Sequence, residues 1–234
     1  SIIPLAVLTR INRELTTIKE ENNIRLISEF NQLISNNIQG EPAPFIYERI
    51  GQKFMHYFID EMQDTSVLQW QNLIPLADNV LSGENLKGET GSIMLVGDAK
   101  QAIYRWRGGK AEQFIDMYTE KVNPFHVEIA TKHLDYNFRS TKTVVDFNND
   151  FFKHISSFAL SSPEHQAIYQ ASSQDVFIQE NGYVELSFLN TKDQDKDELH
   201  CEKTLFSINK ALDNGFKLGD ICVITRKSKE GIAI

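Results

Sequence analysis

"FIDEMQDTS", residues 58–66, indicates the fold class because an apolar run ends there directly in an Asp-Glu pair. Residues 57–59 are consecutively apolar, which predicts a strand covered on both faces, as in a parallel α/β sheet. Residues 92–98, SIMLVGD, repeat the pattern of an apolar strand that ends in polar side chains. Between the two, apolar residues recur at helical spacing over 67–81, so the whole segment predicts a βαβ unit.

Two adjacent carboxylates, Asp60 and Glu61, follow the first strand. Ligands of parallel α/β sheets bind beyond the carboxyl ends of the strands, so this position favours chemistry. An aspartate can hold a magnesium ion, usually through water, and a neighbouring carboxylate can take a proton from an attacking water. Acidic pairs are also common in solvated loops, so the pair becomes specific only together with the segments that follow it.

The second strand continues into GDAKQAIYRWRGG, residues 97–109, where basic side chains alternate with flat aromatic ones. Tyr104, Trp106 and Arg107 are of the types that single-stranded nucleic acid requires, since rings stack on exposed bases and cations contact phosphates. The rings have a simpler alternative, because Trp and Tyr are more often part of a core. Spacing alone leaves both interpretations open.

Composition restricts the class of protein. The chain has 234 residues, 41% of them hydrophobic, and a net charge of −8. This charge argues against a protein that coats nucleic acid through overall basicity, but it permits a local basic groove. The apolar runs are too short for a membrane helix, so we expect a cytoplasmic protein that does not contact a membrane. Cys201 and Cys222 lack metal-binding spacing, which favours reduced thiols over a disulfide or a zinc site.

Periodicity along the rest of the chain predicts further elements. Helices are expected over 1–40, 45–54, 110–118, 140–158 and 197–214, and strands over 182–190 and 220–226, with a break at 41–44. Ser28 and either Thr65 or Ser66 are expected to cap helices. The first of the two strands is expected to point alternate residues such as Phe188 inward. Residues 161–181 are predicted to be the least structured.

Three segments together carry a specific resemblance: DEMQDTS (60–66), VGDAKQAIYRWRGG (96–109) and YNFRS (136–140). They closely resemble motifs II, III and IV of the superfamily 1 DNA helicases related to UvrD and Rep. Lys100 stands where the simpler helicases usually carry an acidic residue, and this form looks more like the helicase subunits of RecB- and AddA-type exonucleases. The resemblance covers most of residues 45–150 strongly and the remainder loosely.

The resemblance implies roles around a bound ATP. Asp60 and Glu61 would form the Mg²⁺ site, with Asp60 organising the ion and Glu61 acting as the general base for the attacking water. Gln101 stands where the family senses the γ-phosphate and couples nucleotide state to the DNA groove. Arg139 would reach the γ-phosphate as an arginine finger does. Phe138 stands where the family commonly has a tyrosine stacked on adenine.

The resemblance also implies a groove for single-stranded DNA. Tyr104, Trp106 and Arg107 would line it, with Trp106 stacked on a base. Gln63 and Asp64 are expected to brace the motifs rather than to do chemistry. The partners that follow from the resemblance are single-stranded DNA and a nuclease or recombination partner subunit, and the process is recombination or repair.

The fold that the resemblance implies is α/β, with partial RecA-like lobes of the P-loop NTPase type, each a parallel sheet flanked by helices. Residues 1–44 would be a helical segment leading into the first lobe, and 45–130 the carboxyl-terminal part of that lobe with motifs II and III. Residues 131–234 would be the amino-terminal part of the second lobe with motif IV. Nucleotide would lie in the cleft between the lobes.

A phosphate-binding loop of the form G-x-x-x-x-G-K-[ST] does not occur in the sequence. We therefore expect an internal fragment of a longer helicase, inactive as an ATPase on its own. One alternative is a degenerate, non-hydrolysing module that binds DNA or a protein partner. Another is an NTPase that acts on a different substrate, against which the aromatic and basic segment at 104–107 argues.

Overall fold

The computed structural model describes residues 2–38, 47, 49–50, 54–84, 88–190, 192 and 195–234. Its helices are α1 Ile2–Glu21, α2 Ile27–Ile38, α3 Val67–Ser82, α4 Ala111–Tyr118, α5 Lys142–Ala159, α6 Pro163–Gln170, α7 Lys196–Asp213 and α8 Ser228–Ala233. Its strands are β1 His56–Ile59, β2 Ser92–Leu95, β3 Tyr136–Thr141 and β4 Asp175–Ile178. Short 3₁₀ turns lie at Met62–Asp64, Ala99–Gln101, Arg105–Arg107 and Leu218–Asp220.

The chain forms two compact units. The first consists of Ser1–Asp135 with Ile155–Ser173, and the second of Tyr136–His154 with Gln174–Ile234. The first unit holds a parallel pair of strands, β1 and β2, and the second holds the parallel pair β3 and β4. The predicted α/β class with parallel strands is therefore confirmed in this coarse form, whereas the assignment of RecA-like lobes stays a prediction.

The βαβ unit of the first compact unit is confirmed. Strand β1 pairs with β2 so that His56 lies opposite Ser92 and Ile59 opposite Leu95, and α3 connects them. Ser66 caps α3: its hydroxyl accepts the Gln69 N–H at 3.3 Å, and the Gln69 side chain accepts the Ser66 N–H at 2.9 Å. This reciprocal capping box satisfies two backbone donors that the first turn of a helix leaves unpaired.

The core of the first unit lies beneath this βαβ element. Its buried members are Met62, Trp70, Ala77, Met117 and Phe125. The rings of Trp70 and Phe125 meet edge to face with centroids 6.0 Å apart, a favoured geometry for aromatic pairs. Because Met62 directly follows Asp60 and Glu61 and is buried in this core, its packing fixes the turn that carries the two acidic residues.

The expectation that β1 is covered on both faces is wrong. Phe58 is 74% exposed, and its cross-strand neighbour Met94 is 53% exposed. Ile59, Ile93 and Leu95, in contrast, pack against the core. A run of consecutive apolar residues does not specify what covers each face, and in the described part of the chain only one face of this sheet packs against the core.

Other differences concern strand pairing. Residues 161–181 contain α6 and β4, so the prediction that they are the least structured is wrong. The segments 182–190 and 220–226 do not form strands, and Phe188 is 93% exposed and Ile224 89% exposed. A strand needs a hydrogen-bonded neighbour, which periodicity cannot supply.

The predicted helical content of residues 1–40 is confirmed over α1 and α2, but the cap is not Ser28. Helix α2 begins at Ile27, and the Glu29 carboxylate accepts the Leu26 N–H at 3.1 Å. The break at 41–44 and most of the helix at 45–54 lie outside the described residues. Among the helices that the structure describes, none is both long and apolar enough to cross a membrane.

Candidate active site

Residues 60–66, called the acidic turn below, follow β1 directly and are hydrogen-bonded to the end of β2. The Val96 N–H donates to the Ile59 carbonyl at 2.8 Å, and the Met62 N–H donates to the Val96 carbonyl at 3.0 Å. These bonds hold Asp60 and Glu61, both exposed, at the carboxyl edge of the parallel pair. This is the edge at which parallel sheets bind ligands, as the sequence predicted.

Glu61 has a left-handed backbone, with φ 53° and ψ 39°. For a residue with a Cβ this conformation costs on the order of 1 kcal/mol and persists only where the surroundings hold it. The Asp60 carboxylate accepts the Glu61 N–H at 2.8 Å, and the Gln63 amide donates to the Glu61 carboxylate at 2.6 Å. Strain of this kind concentrates at functional sites.

Gln63 joins this turn to the end of β2. Its side-chain oxygen accepts the Asp98 N–H at 3.0 Å, while the residue is 1% exposed. Gly97 makes the contact sterically feasible, because a Cβ there would lie 2.6 Å from the Gln63 oxygen. The sequence predicted that Gln63 braces the motifs, but it did not indicate the contact with Glu61.

Asp98 accepts several hydrogen bonds from the turn that follows it, Ala99–Gln101. Its carboxylate accepts the Lys100 backbone N–H at 3.0 Å, the Lys100 ammonium at 2.7 Å and the Gln101 amide at 3.0 Å. Burial raises the pKa of Asp98, but the hydrogen bonds from Lys100 and Gln101 outweigh it and leave the pKa below its ordinary value. Asp98 is thus held as a carboxylate, and Gln101 is held by it.

Further hydrogen bonds attach the residues after Gln101 to the acidic turn. The Asp64 carboxylate accepts the Ile103 N–H at 3.3 Å, and the Thr65 carbonyl accepts the Lys110 N–H at 3.1 Å. Gln113 on α4 also donates to the Thr65 carbonyl, at 3.2 Å. Segments 60–66 and 98–113, which are distant in sequence, therefore form one hydrogen-bonded structure.

The aromatic and basic residues lie on the outside of this structure. Trp106 is 76% exposed, and its ring centroid lies 6.4 Å from that of Tyr104. The Arg107 guanidinium lies 5.0 Å from the Trp106 ring and 5.9 Å from the Tyr104 ring. Arg105 instead forms an ion pair with Glu112. Trp106 is therefore not a core residue, and most of its surface is exposed to solvent.

Phe138 and Arg139 lie on β3 in the second compact unit. The Phe138 ring is exposed and lies 4.5 Å, centroid to centroid, from Phe177 on β4. Asn137 folds its side chain back to accept the Arg139 N–H at 3.0 Å, and Arg139 is exposed. The action of both residues on a nucleotide stays a prediction. Sequence reasoning missed Phe177, although residues 176–178 form a short run of consecutive apolar residues like the one at 57–59.

Comparison of the sequence with known proteins identifies a family. Residues 6–121 match the family model of the UvrD/REP helicase N-terminal domain. The chain is 34% identical to DNA helicase II of Haemophilus influenzae over 116 residues, 50% of this chain and 14% of that protein. It is 29% identical to the AddA-type ATP-dependent helicase/nuclease of Lactococcus lactis over 200 residues, 80% of this chain and 16% of that protein. It is 33% identical to ATP-dependent DNA helicase PcrA of Staphylococcus aureus over 129 residues, 55% of this chain and 16% of that protein.

The chain thus spans 14 to 16% of the length of these relatives. The matched region contains the acidic turn, Gln63, Asp98, Gln101 and the aromatic and basic residues that follow. Through residues 6–121, the chain belongs to the UvrD/REP helicase N-terminal domain family and is homologous to DNA helicase II, to the AddA-type ATP-dependent helicase/nucleases and to PcrA.

Proposed function

We propose that this chain is part of an ATP-dependent DNA helicase or translocase that couples ATP hydrolysis to movement along single-stranded DNA in recombination or repair. The observation that carries the proposal is the hydrogen-bonded connection between the acidic turn and the aromatic surface. Gln63 links Glu61 to Asp98, and Asp98 holds Gln101 three residues before Tyr104. Hydrolysis of a nucleotide bound near Glu61 can thereby alter, through these hydrogen bonds, the position of the residues proposed to contact DNA.

Asp60 is the proposed Mg²⁺ ligand. Magnesium prefers hard oxygen ligands and is usually bound by one or two carboxylates together with water and phosphate oxygens. The exposed Asp60 carboxylate, next to Glu61 at the sheet edge, fits this donor set. The described residues contain no group of three or more His, Cys, Asp or Glu side chains suited to a metal. When bound, the ion would neutralise charge on the phosphates.

Glu61 is the proposed general base, because its exposed carboxylate stands beside Asp60 and can accept a proton from water. Gln101 is the proposed sensor of the γ-phosphate. In the second compact unit, Arg139 is proposed to stabilise charge on the γ-phosphate and Phe138 to stack on adenine. Both residues are exposed, which is compatible with ligand contact.

Tyr104, Trp106 and Arg107 are the proposed contacts to single-stranded DNA. Two exposed rings beside a guanidinium combine base stacking with phosphate attraction, the two contributions that unspecific single-strand binding uses. The net charge of −8 argues against unspecific binding of DNA over the whole surface, and it permits a local contact surface.

The finer proposal is a helicase of the exonuclease type, which acts with a nuclease or recombination partner subunit. Lys100 in the second of the three segments, residues 96–109, supports it. The length of the match to the AddA-type helicase/nuclease also supports it, because that match covers 80% of this chain against 50% for DNA helicase II. The name of that relative states both a helicase and a nuclease, and its extension to this chain is part of the proposal.

The test is Glu61→Gln in the natural full-length protein. We expect hydrolysis to fall by about 100-fold or more, because a general base contributes roughly 10²–10⁴-fold, while ATP binding persists. Glu120→Gln is a matched control, since Glu120 is also exposed and left-handed, with φ 57°, and has no proposed role. Wild-type ATPase activity in the Glu61 variant would refute the base assignment. Wild-type protein that binds single strands without hydrolysing ATP would instead support a degenerate, non-hydrolysing module.

A further inference from the structure

Gln63 is nearly inaccessible to solvent, and both polar atoms of its side-chain amide form hydrogen bonds with segments that contain proposed catalytic residues. Its Nε2 donates to Glu61 Oε2 at 2.6 Å, and its Oε1 accepts the Asp98 N–H at 3.0 Å. The orientation of the amide follows from chemistry: a backbone N–H can only donate, and an ionised carboxylate can only accept. The nitrogen must therefore face Glu61.

This contact restricts the proposed base. An exposed glutamate otherwise samples several rotamers, whereas a general base must lie within hydrogen-bond reach of the proton that it removes. A carboxylate has two oxygens, and the Gln63 amide occupies Oε2. The other oxygen, Oε1, remains oriented by that hydrogen bond and by the left-handed backbone of Glu61.

The opposite end of the amide ties this orientation to the turn that carries Gln101. Asp98 is in contact with both Gln63, through its N–H, and Gln101, through its carboxylate. Gly97 admits the Gln63 oxygen, because a Cβ at that position would lie 2.6 Å from it. Burial of the amide makes the arrangement rigid, since an unpaired polar group there would be costly.

We propose that Gln63 is a positioning residue for ATP hydrolysis, which orients the Glu61 carboxylate toward the attacking water and links that orientation to the Asp98–Gln101 turn. The proposal rests on the proposed role of Glu61 as general base. This role differs from a purely structural one. A structural residue affects protein stability and the binding of every ligand, whereas a positioning residue affects the rate of the chemical step.

The test is Gln63→Met in the natural full-length protein, since methionine has a similar volume and cannot form either hydrogen bond. We expect kcat for ATP hydrolysis to fall on the order of 10- to 100-fold, the size of effect that small misplacements of catalytic groups produce, with KM for ATP nearly unchanged. Gln113→Met is the matched control: it removes another amide that bridges the same segments, at Thr65, without touching Glu61 or Asp98. Its kcat should stay near the wild-type value.

A double variant identifies the path of the effect. If Gln63 acts through Glu61, adding Gln63→Met to Glu61→Gln should cause no further loss of the residual single-turnover rate. If Gln63→Met does not fold, Gly97→Ala serves instead, because its Cβ displaces the amide, and it should show the same loss of kcat. All rates are compared below the unfolding temperature of each variant.

Three results would overturn the proposal: an unchanged kcat in Gln63→Met, an equal loss in Gln113→Met, or full additivity with Glu61→Gln. If Glu61→Gln by itself lowers hydrolysis about 100-fold or more, the proposed function survives each of these results. If Glu61→Gln hydrolyses ATP normally, it is the proposed function that fails. The two failures are therefore distinguishable in one set of variants.

Discussion

Replacing Trp106 by alanine should weaken binding to single-stranded DNA without weakening the fold. The ring is exposed, and its aromatic and cationic neighbours are Tyr104 and Arg107, themselves on the surface. Losing an exposed side chain changes the free energy of unfolding by about 0.5 kcal/mol or less. Stacking on one base contributes about 1–3 kcal/mol, which corresponds to a rise in Kd of roughly 5- to 150-fold.

Two further variants separate stacking from other effects. Trp106→Phe keeps an aromatic face and should retain most of the affinity, because any aromatic ring can stack on a base. Trp70→Ala removes a tryptophan that is 5% exposed and packs against Phe125. That change should lower the free energy of unfolding by about 3–5 kcal/mol, the usual cost of deleting a buried aromatic side chain.

The assay is a fluorescence anisotropy titration of a labelled oligothymidine with the natural full-length protein, at one fixed salt concentration because phosphate contacts depend on salt. Thermal unfolding of each variant is recorded in the same buffer. An unchanged Kd for Trp106→Ala, with an unchanged Tm, would refute the stacking argument. So would equal weakening by phenylalanine and alanine at this position.

Two predictions concern stability. Ser66→Ala removes the hydroxyl that caps α3 and should lower the free energy of unfolding, measured by urea denaturation, by about 1 kcal/mol. Ser66→Thr keeps a hydroxyl and should have a free energy of unfolding near that of the wild-type protein. Equal stability of the wild-type protein and both variants would contradict the capping role. Hydrogen bonds from Lys203, then Tyr183 and further neighbours, lower the pKa of Glu185 from 4.5 to about 2. Because the folded-state pKa is depressed, this stabilisation is present above pH 4.5 and is lost as pH falls toward 2. Glu185→Gln should therefore reduce the fall of Tm between pH 4.5 and pH 2. An identical fall of Tm in the wild-type protein and the variant would refute this contribution of Glu185.

Much of the first unit is predictable because its signals are local. The helical spacing over 67–81 is a property of consecutive residues, and so is the Ser66 cap with Gln69 three positions later. Two apolar runs joined by one helix leave parallel pairing as the natural topology. The acidic pair therefore had to lie at the carboxyl edge of the sheet.

The second unit is harder to predict because its strands depend on partners. Strand β4 escapes sequence reasoning although it pairs with β3, while the strand-like segments 182–190 and 220–226 are not strands. Alternation of apolar residues measures the tendency to lie in a sheet, but pairing is decided by long-range contacts. The exposure of Phe58 has the same origin, since sequence does not specify what covers a sheet face.

The α/β class, the βαβ unit, the residues at its edge and the resemblance to a helicase family can all be predicted from the amino-acid sequence. Three features are visible only in the folded chain: Gln63 contacts both Glu61 and Asp98, Gln101 is held by Asp98, and Trp106 lies outside the core. The contact between Gln63 and Asp98 joins groups that are far apart along the chain. Which donors meet which acceptors is settled only when the two strand ends come together in space.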